Sequence, residues 1–137
     1  MKAILIGATG LIGRALLHEL LQDDAYSEIK VLTRRATGVE HAKLTEELIN
    51  FYQIKSSIIV LKADVLFSTL GTTIKTAGTK ERQWEIDFDM QFNTAELASK
   101  ARTKKLVLLS SAGANSKSNV FYSRMKGELD EAAKALD

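Results

Sequence analysis

Three groups of residues in this chain have the types and spacing to do chemistry. The first is Tyr122-Ser-Arg-Met-Lys126. On a helix, a four-residue step puts Tyr122 and Lys126 on one face, about 100° round from an apolar Phe121–Met125–Leu129 stripe. That is the border of a core, where a cleft opens. An ammonium beside a phenol favours phenolate and draws the hydroxyl below its ordinary value near ~10, so the pair can exchange a proton near neutrality. Tyr26 and Lys30 repeat the spacing but run into a strand, where four residues span about 13 Å, so they form no such pair. The second group is Ser110-Ser111, at the end of an apolar run. A serine hydroxyl there can hydrogen-bond a carbonyl while Tyr122 delivers the proton.

The third group is Gly7-Ala8-Thr9-Gly10-Leu11-Ile12-Gly13, which leaves one apolar run and opens another. In a strand–turn–helix setting Gly7 allows the tight turn, Gly10 lets backbone approach a pyrophosphate, and Gly13 lets helix and strand pack closely. Free N–H groups at the helix start then hold the phosphates. Gly7, Thr9, Gly10, Leu11, Ile12 and Gly13 are therefore candidate cofactor-binding residues, against the plainer reading of a glycine turn with no ligand. An NAD site places an acid at the end of the second strand, about twenty residues on, to accept the ribose 2′-hydroxyl. Here Thr33 is followed by Arg34 and Arg35. Two guanidiniums suit a 2′-phosphate, so NADP(H) is favoured over NAD(H). The alternative is a pair of solvated arginines in a loop.

These groups need elements to position them. Lys2–Gly7 reads as a buried strand and Gly10 to about Gln22 as a helix apolar nearly all round, hence buried. Ile29–Thr33 reads as a second strand. A strand over Glu47–Phe51 and a short helix near Ile54–Leu61 are expected next, then a strand over Asp64–Leu70. Lys80–Ala101 reads as one long helix with a Trp84, Phe88, Phe92, Ala95 stripe, and Asp87 and Asp89 on its solvated face. Leu106–Ser110 is the last strand and Ser118–Leu136 the last helix. Alternating strands and helices imply right-handed crossovers and a parallel sheet. The expected class is α/β, a Rossmann-type doubly wound parallel sheet of about five strands with helices on both faces. The glycine turn and the serines then meet at the carboxyl edge of that sheet.

Composition narrows the field. The chain has 137 residues, no cysteine and no proline, and 19 basic against 17 acidic side chains. No cysteine removes disulfides, thiolate metal sites and a cysteine nucleophile. The near-neutral balance argues against a nucleic-acid partner. No apolar stretch reaches the ~18 residues of a membrane span, and glycines interrupt the N-terminal run, so a cytoplasmic protein without a membrane partner is expected. His18 and His41 lack a second ligand at metal spacing, and no metal site is expected. Gly71 to Lys80 fails the phosphate-loop pattern, having six residues between its glycines and no Gly-Lys-Ser/Thr ending.

The chain also resembles the short-chain dehydrogenase/reductases, specifically their atypical NAD(P)-binding, NmrA-like branch that includes the HIV Tat-interacting oxidoreductase-like proteins. The resemblance lies in GATGLIG at 7–13, TRR at 33–35, DVLFSTLGTT at 64–73, LLSSAGAN at 108–115 and FYSRMKGE at 121–128. It implies Ser111, Tyr122 and Lys126 as the catalytic set, with Lys126 also on the nicotinamide ribose. It further implies Leu70, Gly71 and Thr72 along the cofactor and Phe51 near the adenine, where Asn50 stands in place of the family's frequent Asp. It implies a single NAD(P)-binding domain over 1–137. The family's substrate lobe follows the Tyr–Lys helix and would be absent here, leaving an open edge and possible homo-oligomer formation. The expected function is an NADP(H)-dependent oxidoreductase of short-chain type acting on an unidentified small carbonyl or alcohol. The alternative is a non-catalytic NAD(P)-binding sensor or partner-binding regulator.

Overall fold

The fold was described from a computed structural model, which describes residues 1–56 and 60–136. Five strands form one all-parallel sheet: β1 (Lys2–Ile6), β2 (Glu28–Thr33), β3 (Leu44–Leu48), β4 (Val65–Ser68) and β5 (Lys105–Leu108). Their spatial order is β3-β2-β1-β4-β5. The chain therefore moves outward from β1 in one direction and then jumps back to its other side. That reversal opens a crevice at the carboxyl ends of β1 and β4, the place where α/β sheets bind ligands. The fold is the Rossmann-type sheet the sequence implied.

Strand alternation builds two cores. Ala3 and Leu5 pair in register with Ile29, Val31 and Val65, and all face helix α1 (Leu11–Gln22). Ile4, Ile6, Leu32 and Leu66 face the opposite way, onto Phe51, Ile54, Leu61, Met90 and Ala98. Each face thus buries every second strand residue, as the pleat demands. Two short helical turns, α2 (Ile74–Ala77) and α3 (Lys80–Trp84), precede α4 (Gln91–Lys100), and α5 (Phe121–Lys134) follows β5. Val107 continues the α1 side of the sheet through its register partner Phe67, yet it is exposed, so the α1 layer does not reach β5.

Several elements depart from the reading of the sequence. Helix α1 is amphipathic and not wholly buried: Gly13, Leu17, Leu20 and Leu21 face the sheet, while Leu11 and Ile12 stand in solvent at the glycine turn. The third strand lies at Leu44–Leu48 and not Glu47–Phe51. Its register with β2 seats Leu44 beside Ile29, and Lys30 pairs with Glu47 at 3.2 Å. Beyond it, the Asn50 side chain accepts from the Tyr52 N–H (3.0 Å), and a 3-10 turn follows over Phe51–Ser56. Such an Asx turn ends a strand even where the next residues are apolar. The expected helix near Ile54–Leu61 begins earlier, as that turn, and its residues 57–59 lie outside the described residues.

The long helix expected over Lys80–Ala101 is interrupted. A π turn occupies Glu85–Met90 between α3 and α4. The aromatic residues of the anticipated stripe are only partly buried and stack on one another instead, Trp84 on Phe88 at 4.6 Å and Phe88 on Phe92 at 6.0 Å. The buried stripe runs one residue earlier, through Gln83, Asp87, Gln91 and Thr94 to Ala98. It is largely polar. Asp87 is therefore buried, not solvated, its carboxylate accepting from the Thr72 N–H at 2.9 Å.

Candidate cofactor cleft and Tyr–Lys site

The glycine turn is held by contacts that a side chain would destroy. Gly7 has φ +86°, in the left-handed region that favours glycine. A Cβ on Gly13 would lie 1.9 Å from the Gly7 carbonyl oxygen. Only glycine lets the first turn of α1 sit this close to the end of β1. The turn closes with the Gly10 N–H donating to the Gly7 carbonyl at 3.1 Å. Gly10 is the N-cap of α1 and provides no side-chain cap, so the helix start offers backbone donors to an anion.

A cavity of about 640 Å³ opens beside this turn, lined by Thr9, Arg14, His18, Arg35 and Thr37 among others. The structure thus brings Arg35 to the glycine turn, whereas Arg34 is exposed outside that lining. Thr33 explains how. Buried at the end of β2, its hydroxyl donates to the Arg35 carbonyl (2.7 Å) and accepts from the Arg35 N–H (3.3 Å), folding the loop back. Arg14 was not anticipated. Its signal was its place directly after Gly13, on the exposed face of the first helical turn. Phe51 packs into the core with Ile54 and Leu61, its side chain only 3% exposed.

The second cavity, about 520 Å³, lies off the end of β4. Thr72, Ile74, Lys80, Gln83, Phe121 and Tyr122 are among its lining residues. Tyr122 and Thr72 therefore share one cavity. Leu70 and Gly71 lead into it, and Leu70 also packs against the core on the α4 side. Ser111 lies outside that lining, and its Oγ accepts from the Gly113 N–H at 3.4 Å. Its neighbour Ser110 donates to the Asp130 carboxylate at 2.7 Å. Helix α5 seats against the serine loop because Gly127 lacks a side chain there: a Cβ would lie 2.2 Å from the Ser116 nitrogen.

The electrostatics of this end run against one expectation. Tyr122 is 40% exposed, and its phenol stands above its ordinary value, through burial first and the charge of Asp87 second. The lowering expected from Lys126 is not seen. Lys126 is itself buried, donates from Nζ to the Leu109 carbonyl (3.3 Å), and is drawn down by burial. Asp87 and Asp130 pull it part of the way back. Asp87 is raised by burial and held down by the Thr72 N–H and by Lys126.

A parallel sheet with a glycine turn at its reversal point, an uncapped helix start and a Tyr–Lys helix beside it defines a Rossmann-type domain of short-chain dehydrogenase/reductase build. Residues 3–129 match the NAD dependent epimerase/dehydratase family, and the chain belongs to that family. Among its relatives is "Protein fmp52, mitochondrial" of Emericella nidulans, 38% identical over 139 residues, covering 96% of this chain and 60% of the relative. The Saccharomyces cerevisiae protein of the same name is 31% identical over 140 residues and covers all of this chain and 61% of the relative. The chain thus spans about 60% of the length of these curated relatives. The fold also matches the Bordetella bronchiseptica enzyme WbmG, solved with NAD and UDP, at a TM-score of 0.77 and 18% identity, over 100% of this chain and 50% of that one.

The cytoplasmic expectation does not stand, because these relatives are named mitochondrial. It rested on a search for apolar spans, and mitochondrial address segments are amphipathic and basic, to which such a search is blind. No helix among the described residues is long and apolar enough to cross a membrane.

Proposed function

We propose that this chain is the cofactor-binding part of an oxidoreductase of short-chain type that prefers NADP(H) over NAD(H). The observation that carries this reading is the cavity at the glycine turn. Arg14 and Arg35 face it together, no acid among the described residues lines it, and Thr33 stands where an NAD site has its carboxylate. Guanidiniums there pair with a 2′-phosphate through charge-assisted bonds. Gly7, Thr9, Gly10, Leu11, Ile12 and Gly13 hold the pyrophosphate, with Leu70, Gly71 and Thr72 along the far half. Phe51 supports the adenine side from the core.

The bound dinucleotide supplies hydride to, or takes it from, a carbonyl or alcohol carbon. Tyr122 supplies the proton. In carbonyl reduction Tyr122 acts as general acid from its protonated phenol, the form any tyrosine of ordinary or raised pKa holds at neutral pH. Lys126 holds the nicotinamide ribose, and Ser111 orients the carbonyl after turning from Gly113. The mitochondrial naming of the fmp52 relatives points to that compartment for this chain also. Calorimetric titration with NADPH and NADH tests the reading: NADPH is expected to bind about tenfold tighter or more. Silence with both dinucleotides would overturn it.

One observation favours a second reading, a dinucleotide-binding regulator without turnover. Ser111 is outside the Tyr122 cavity and the phenol is not activated. NADPH oxidation over a panel of carbonyl compounds separates the two. Turnover that is lost in Tyr122→Phe supports the enzyme, and binding without turnover on any compound supports the regulator.

A further inference from the structure

The cavity that holds Tyr122 is largely apolar and carries one cation at its rim, and both facts bear on the substrate. Ile74, at the start of α2, and Val120, the residue before α5, line it and stand 48% and 63% exposed. Exposed apolar side chains are ordinary when scattered. These converge with Phe121 on one cavity, and such a patch marks a binding surface. Hydroxyl partners are few by comparison. The Thr73 hydroxyl accepts from the Thr76 N–H (3.2 Å) and donates to the Thr76 hydroxyl (3.0 Å), so it is spent within its own turn. A ligand rich in hydroxyls, such as a sugar, would give up water here without finding replacement bonds.

The cation is Lys80, the first residue of α3. It lines the cavity, and its Nζ lies over the Phe121 ring, 5.4 Å from the centroid. The negative face of the ring holds the ammonium there without neutralising it. Lys80 makes no ion pair among the described residues. Glu81, Glu85 and Asp89 line a separate cavity with Lys80, and none of them lines this one. Arg124 also lies over the Phe121 ring, at 5.9 Å, but it is outside the lining and its guanidinium donates to the Ser118 carbonyl (3.0 Å). The rim thus offers one positive charge. One carboxylate balances it, whereas a phosphate monoester brings about −1.5 to −2 at neutral pH and would be left in excess. Phe121 and Tyr122 are neighbours on α5 and diverge by about 100° round it, so the cation over one and the hydroxyl of the other reach different ends of a bound molecule. We propose that this cavity takes a carbonyl compound with an apolar body and a carboxylate remote from the carbonyl, the carbonyl at Tyr122 and the carboxylate at Lys80. This rests on the reading of the cleft as a dinucleotide-dependent reductase site.

Probes of one shape and different charge test it: 4-acetylbenzoate, its uncharged methyl ester and 4-acetylphenyl phosphate. Each is titrated into the isotopically labelled chain with NADP⁺ present, so that nothing is reduced. Binding is followed at the backbone amides of Thr72, Ile74, Phe121 and Tyr122. The benzoate is expected to bind about threefold tighter or more than the ester, the scale of one half-exposed ion pair, and tighter than the phosphate. Lys80→Gln is expected to erase that preference while leaving the ester within about twofold, and Lys80→Arg to restore it. Ile74→Ser is expected to weaken benzoate and ester alike, by about twofold or more. Benzoate and ester binding equally to the unaltered chain, a preference that survives in Lys80→Gln, or a phosphate that binds tightest would each overturn the proposal. A loss confined to the benzoate in Ile74→Ser would contradict the apolar wall. The cofactor reading fails separately. Probes that shift these amides in a chain responding to no dinucleotide leave the acid-binding cavity standing without it. A chain that binds dinucleotide and none of the probes keeps the cofactor reading and loses this one.

Discussion

The two ends of the cleft are built in opposite ways. The glycine-turn end is assembled from residues close in sequence, Gly7 to His18 and Thr33 to Thr37, and its charged groups, Arg14 and Arg35, stand in solvent. The tyrosine end is assembled from four separated segments, Ser68–Thr72, Gln83–Gln91, Leu109–Ser111 and Tyr122–Lys126. Its charged groups, Asp87 and Lys126, are almost wholly buried. Exposed charges cost little to keep and act at long range, subject to salt. Buried charges are held by a network that fixes geometry and shifts their protonation. The difference suits one end to capturing an anionic ligand and the other to placing a proton.

That contrast can be broken from either side. The largest effect is expected at the tyrosine end. Tyr122→Phe should leave NADPH affinity within about twofold while lowering any carbonyl-reducing turnover by about 10²–10⁴, the range for a lost general acid. Equal loss of affinity and turnover would mean that Tyr122 serves binding. Next comes Gly13→Ala, whose new Cβ would stand 1.9 Å from the Gly7 carbonyl. It should lower stability by about 3 kcal/mol in denaturant unfolding, because backbone must move to admit it. A stability change under about 0.5 kcal/mol would contradict the close approach of α1 to β1.

Arg35→Ala should be milder and selective. NADPH affinity is expected to fall about tenfold with NADH affinity unchanged, while stability stays within about 0.5 kcal/mol, as for an exposed side chain. A parallel loss for NADH would show that Arg35 does not read the 2′-phosphate. The smallest effect concerns pH. Asp87 is raised above its ordinary 3.8 in the fold, so folding takes up a proton between that value and the raised one. Its burial therefore costs stability above this window, and the cost is relieved as pH falls through it. Thermal unfolding of the unaltered chain, compared with Asp87→Asn across that range, should show the former gaining relative to the latter as pH falls. The opposite trend would mean that Asp87 is stabilised as an anion.

The same contrast explains how much of the molecule could be read from its sequence. The glycine turn, α1, β2 and the Tyr122–Lys126 helix announce themselves because each signal is local: a residue type, a cap or a period. β3 was misplaced because Leu48, Ile49 and Phe51 look like one apolar run, and only the Asn50 turn and the register with β2 divide it. The π turn and Asp87 were missed for a deeper reason. The period of Trp84, Phe88 and Phe92 is that of a core stripe, but aromatics can satisfy one another in a half-exposed stack. The true buried stripe is largely polar, and its partners lie on β4 and the loop after it, 11 to 23 residues away in sequence. Arg14 escaped notice because a basic residue on an exposed helical turn looks ordinary until the β2 loop folds back beside it.

The central claim is that these two unlike ends read two halves of one phosphorylated dinucleotide. Backbone amide NMR of the isotopically labelled chain tests it most directly, with NADPH and with adenosine 2′,5′-bisphosphate added in separate series. NADPH is expected to shift amides at both ends, around Gly10–Arg14 and Arg35 and around Thr72 and Tyr122. The bisphosphate should shift the first set alone. Shifts confined to one end with NADPH, or none at all, would contradict the account.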